Sequence, residues 1–107
     1  MFWSNDALRA ERAAFLAAAI AAIAATLDVA DLSEDPSSRS NGRLLAAARQ
    51  LAELQGECLV AHDRLIQRCE KIGVDHESLV ALRQGRAELA RRLHNALVDV
   101  EQLTSDT

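Results

Sequence analysis

At 107 residues the chain has the length of one domain, half of it is apolar, and its formal net charge is −4. Three aromatics, one proline and four glycines exclude a β-sandwich or barrel, which needs β-branched residues and frequent turns, and point to an all-helical fold. The weak negative charge is spread along the chain and leaves no basic stripe of the kind that neutralises nucleic-acid phosphates.

The first predicted helix runs from about 5 to 32, with Ser4 or Asn5 as its N-cap. Between Ala13 and Leu27 it carries no charge, and nine of those fifteen residues are alanine. Its bulky members, Leu16, Ile20, Ile23 and Leu27, step by 4, 3 and 4, which is the spacing of one helical stripe. That stripe is expected to pack on the rest of the bundle. On the other side, Ala10, Ala14, Ala17, Ala18, Ala21 and Ala25 form a strip with little side-chain bulk, the expected surface for close approach of a second helix. Phe2 and Trp3 precede the cap, where they either fold back over the bundle end or anchor a partner. The uncharged run spans about 22 Å as helix, short of the ~30 Å hydrocarbon core, so no membrane span is expected. Asp6 and Glu11 likewise spoil the basic start of a signal peptide.

Residues 33–42 lack apolar periodicity and hold the only proline, which predicts a flexible linker. Asp35-Pro36 has the form of an N-cap and first-turn pair, so a short helical turn fits there. Asp28 and Asp31 oppose the dipole at the end of the preceding helix and predict fraying.

The second long helix is expected over about 43–72. It has one seam through Leu44, Ala47, Leu51, Leu54, Cys58, Ala61, Leu65 and Ile72, broken only by Arg68, and another through Leu45, Ala48, Ala52, Leu59, His62, Ile66 and Cys69. Two adjacent seams imply a wide face with two neighbours. Gly73 suits a left-handed C′ position and Asp75 an N-cap, so a tight joint should turn the chain back into a third long helix over about 76–103. That helix carries Leu79, Leu82, Leu89, Leu93, Ala96, Val100 and Leu103 at 3/4 spacing. The whole is a single-domain antiparallel three-helix bundle with coiled-coil-like packing, suited to assembly into a larger helical bundle.

Polar residues within the seams are the candidates for chemistry. The hairpin register puts Arg86 opposite His62 and near Asp63, so Arg86 either pairs with that carboxylate or, with His62 and Arg68, frames a small anion site. Cys58 and His62 lie four apart with His94 a turn away, a spacing that could clip a metal, but no CxxC or paired ExxH motif accompanies them. Cys58 and Cys69 are eleven residues apart on one helix, too far to join in a disulfide, and two free thiols suit a reducing compartment. Alanine abundance and the preference for arginine over lysine fit a bacterial coding background. No phosphate loop, nucleophile elbow or catalytic triad spacing appears.

These residues imply a non-enzymatic cytoplasmic protein without cofactor or metal. We expect an adaptor, assembly factor or small chaperone that forms a homo-oligomer, a dimer first, and binds a protein partner through apolar helix surfaces, without nucleic acid or membrane. The competing expectation is a small helical enzyme or a ligand- or metal-binding protein with a polar site around Cys58, His62, Arg68 and Arg86.

Overall fold

The computed structural model describes residues 2–106, with side chains described over 6–106. Four helices follow in order: α1 (Phe2–Ser33), α2 (Pro36–Ser40), α3 (Arg43–Ile72) and α4 (His76–Ser105). The described residues contain no strand, and they fill an elongated body of 56 × 20 × 16 Å. The three long helices stand where the apolar periodicities put them.

The α3–α4 joint is built as its residues dictate. Gly73 adopts φ 84° and ψ 40°, a left-handed conformation open to glycine without a Cβ penalty. The amides of Gly73 and Val74 both donate to the carbonyl oxygen of Cys69, at 3.0 and 3.2 Å, closing a Schellman turn. The Asp75 carboxylate then accepts from the Ser78 amide at 3.0 Å and from its hydroxyl at 2.7 Å, capping α4. These hydrogen bonds hold the Asp75 carboxyl below its ordinary pKa.

At the other joint, the stretch expected as a linker holds the short helical turn that Asp35-Pro36 allows, and it is docked through Ser38. Asp35 caps α2 by accepting from the Ser37 amide at 3.0 Å, with Pro36 in the first turn. Ser38 is almost fully buried, and its hydroxyl donates to the carbonyls of Leu32 and Asp35. One carbonyl at the end of α1 is thereby satisfied. This offsets the unfavourable dipole contact of Asp28 and Asp31, and α1 is helical through Ser33. At its other end α1 is already helical at Phe2, so Ser4 and Asn5 lie within its first turn instead of capping it. The side chains of Phe2 and Trp3 lie outside the described residues.

The core belongs to α3. Leu44, Ala48, Ala52, Gln55, Cys58, Ala61, His62, Leu65, Ile66 and Cys69 are buried, a set drawn from both expected seams with Gln55 added. Both α1 and α4 pack along this face, as two seams require. On α4, Leu89 and Ala96 are buried and Leu79, Leu82, Leu93, Val100 and Leu103 half-buried, so its seam faces inward as expected.

Helix α1 reverses the expectation. Ala22 and Ala25 are buried, at 3 % and 6 % exposure, whereas Leu16, Ile20, Ile23 and Leu27 remain 53–66 % exposed. The alanine side turns toward α3 and the bulky stripe turns to solvent. Small side chains let the two helix axes approach closely and leave room for larger groups of α3, such as the His62 ring that meets Phe15.

This phase can be tested by adding bulk. Ala22→Leu should destabilise the fold by about 1–3 kcal/mol through overpacking, while the exposed Ala24→Leu should stay within about 0.5 kcal/mol. Urea unfolding at low protein concentration reads both, and equal effects would place the wrong face against α3.

Candidate interaction surface

The outward stripe follows from helical geometry. At 100° per residue Leu16, Ile20, Ile23 and Leu27 lie within an arc of about 60°. Ala18, Ala22 and Ala25 lie on the opposite side of the helix. The alanine strip proposed from the sequence is therefore divided. Ala25 is buried and Ala18 and Ala21 are half-buried against the bundle, while Ala10, Ala14 and Ala17 are exposed. The strip is thus not exposed as one continuous surface. The continuous exposed feature is the ridge of large aliphatic side chains.

Beside the ridge runs a groove. Because α1 and α4 both contact α3 but share almost no contact with each other, a cleft of about 370 Å³ opens between them. Ala22, Ile23 and Leu27 form one wall, Leu51 and Gln55 belong to its floor, and Leu89 and Arg92 stand on the α4 side. Gln55 is 7 % exposed, and its Oε1 has no hydrogen-bond partner among the described residues. A buried amide oxygen without a donor is costly, so this position favours a polar group arriving from outside.

The polar residues of the seams do not form one site. His62 is buried at the place where the three long helices meet. Its ring lies edge-on to Phe15 of α1, with centroids 5.0 Å apart, and a methyl group added at Gly85 of α4 would come within 3.4 Å of its Nε2. Burial pushes the His62 pKa below its ordinary value. The Asp63 carboxylate opposes this shift and the Arg86 guanidinium adds to it. Arg86 makes the pair that the hairpin register implies: its Nε donates to Asp63 at 2.6 Å and its Nη2 at 3.4 Å. The contact raises the Arg86 pKa. Arg68 lies elsewhere, 3.8 Å from Glu11 of α1, on a surface depression with Arg64, Gln67 and Lys71. The anion-site expectation needs His62, Arg68 and Arg86 to converge; Arg86 lies near enough to His62 to act on its charge but is held by Asp63, and Arg68 sits apart with Glu11.

The thiols of Cys58 and Cys69 are free and buried, and burial pushes both pKa values up, away from the reactive thiolate. Among the described residues no group of three or more His, Cys, Asp or Glu side chains gathers where a metal could be held. His94 is exposed, whereas Cys58 and His62 are buried. The arginines of α4 form a salt-bridged face. Arg91 and Arg92 bind Glu88 at 2.6 and 3.2 Å, and Arg83 reaches Glu70 at 3.1 Å.

One further property of α1 corrects the length argument made from its uncharged run. Over Asp6–Ser33 the helix is long and apolar enough to cross a membrane, and little of its apolar stretch is buried. Core helices and signal sequences pass the same test. Compared with protein-family models, curated proteins and solved structures, the chain matches none.

The buried imidazole has a consequence for pH. Its folded-state pKa lies below the unfolded value of about 6.5, so the two states bind protons equally above that pH and stability is then full. Below it the unfolded chain takes up a proton that the folded one resists, and stability falls with pH. The thermal midpoint should therefore drop between pH 7.5 and 5.5, and His62→Gln should flatten that stretch of the profile. An unchanged slope in the variant would assign the pH dependence to other groups.

Proposed function

We propose that this protein is a non-enzymatic interaction protein, of the adaptor, assembly-factor or small-chaperone type, that self-associates and binds a partner through apolar helix surfaces. The observation that carries this reading is the ridge of Leu16, Ile20, Ile23 and Leu27, each more than half exposed on a helix whose opposite side is packed. Contiguous apolar surface of this kind on a soluble domain marks a place where another surface docks. The adjoining groove supports helix-in-groove recognition, with side chains at i, i+3, i+4 and i+7 of an incoming helix supplying burial. The free Oε1 of Gln55 gives such a helix one polar contact inside the cleft.

The position of Arg68 away from His62, and the pairing of Arg86 with Asp63, favour this reading over a polar catalytic site, because the alternative requires His62, Arg68 and Arg86 around one pocket. Two buried free thiols agree with a reducing compartment such as the cytoplasm.

Light scattering coupled to gel filtration tests the reading. At micromolar concentration the protein should run as a dimer or larger species. Ile20→Glu should shift it to a monomer with unchanged helical circular dichroism, because the position is 66 % exposed in the isolated chain. A wild-type protein that is strictly monomeric would remove self-association from the proposal.

A further inference from the structure

The outward stripe of α1 is mirror-symmetric about the midpoint between Ala21 and Ala22. Ile20 mirrors Ile23, Leu16 mirrors Leu27, and Ala13 mirrors Ala30. Beyond the apolar part the mirror partners carry opposite charge: Arg12 mirrors Asp31 and Arg9 mirrors Glu34. All ten of these residues are exposed, and no ion pair joins Arg9, Arg12, Asp31 or Glu34 to a neighbour among the described residues. From Arg9 to Ala30 the steps alternate 4 and 3 through Ala13, Leu16, Ile20, Ile23 and Leu27, a single coiled-coil seam, and Glu34 follows four residues on, just past the end of α1.

From this we infer that the ridge is covered by the same ridge of a second copy, α1 against α1 antiparallel about a two-fold axis at Ala21–Ala22. The inference rests on the self-association proposed above and specifies its geometry. A two-fold interface brings one patch against itself, so each residue must suit its mirror position, and this stripe does so at every layer. Leu16 meets the partner subunit's Leu27, and Ile20 meets the partner subunit's Ile23. At both ends an arginine of one copy faces a carboxylate of the other. A parallel pair would set Arg9 and Arg12 against their own copies and the acidic ends against each other, which is repulsive. The helix dipoles, opposed in such a pair, also favour the antiparallel arrangement. The ridge points away from α3, so the second copy meets no obstruction from its own bundle.

A lipid surface fits the same ridge less well. Amphipathic helices that lie on membranes carry a polar face rich in lysine and arginine. Here one end of the stripe is acidic, the chain is net negative, and the reverse side of the helix is alanine packed on α3.

Cysteine cross-linking and charge exchange test the geometry together. In a Cys58→Ala/Cys69→Ala background, Ala13→Cys and Ala30→Cys chains of different mass are prepared separately and oxidised alone and mixed. The antiparallel register gives a disulfide-linked dimer only on mixing, since like positions lie about 26 Å apart. Arg12→Glu and Asp31→Arg should each weaken the dimer about tenfold or more in sedimentation equilibrium, and the two changes combined in one chain should restore it. A dimer that cross-links like with like, or not at all, overturns the register and leaves self-association standing. A monomer overturns both, and one that sediments with phosphatidylcholine–phosphatidylglycerol vesicles identifies lipid as the cover.

Discussion

The structure depends on which side of α1 meets α3. Alanine contributes little apolar area when buried, so the α1–α3 contact gains from close approach and from the fit of small residues against larger ones, more than from area alone. Once Ala22 and Ala25 occupy the contact, the helical repeat leaves no choice for Leu16, Ile20, Ile23 and Leu27. They must point outward. The greasiest side of the helix is thus what remains after folding, and the ridge is a geometric consequence of the packing.

The central position of α3 produces the second feature. A helix with two adjacent apolar seams can seat two neighbours side by side, but those neighbours need not touch. Here they scarcely do, and the cleft between α1 and α4 follows. The polar residues of α3 mark this divided packing. His62 is covered from both sides, by Phe15 and by Gly85, while Gln55 reaches the part of the face that the divergence leaves open. A third neighbour over the cleft would complete burial that two helices leave unfinished.

How much of this was legible varies by element, for physical reasons. The α3–α4 hairpin was readable because its signals are local and chemically specific: a glycine in the left-handed region, an aspartate cap, and a register that pairs Arg86 with Asp63. The inward face of α4 was readable because polar residues occupy its other side. The phase of α1 was not. With alanine on one side and leucine and isoleucine on the other, both faces are apolar, and periodicity locates a stripe without saying which stripe is covered. Preference for bulk in cores selected the wrong one. The short helix after α1 is announced by Asp35-Pro36, but the burial of Ser38 is not, because it depends on carbonyls at the end of α1 that composition does not reveal. Cys58, Gln55 and His62 show the same limit at the level of a site. Their placement depends on how far α1 and α4 diverge, a tertiary quantity that their spacing on α3 does not encode.

The size of the ridge bears on how tightly it can be covered. Fully burying a leucine or isoleucine side chain is worth about 1.5–3 kcal/mol, and these four, 53–66 % exposed, already hide part of their surface. Completing their burial in both copies of a dimer would then yield roughly 6–12 kcal/mol. Association costs an estimated 4–15 kcal/mol in lost rigid-body freedom, so the apolar seam alone supports reversible pairing and not a permanent assembly. Exposed ion pairs at its ends add at most about 1 kcal/mol each and act mainly on register. A seam of that strength can open without unfolding either bundle, because α1 stays attached to α3 through its alanine face. In the proposed dimer the same ridge would then be open to exchange of one covering helix for another. In the proposed adaptor role, α1 would hold α3 through its alanine face and a partner reversibly through its ridge.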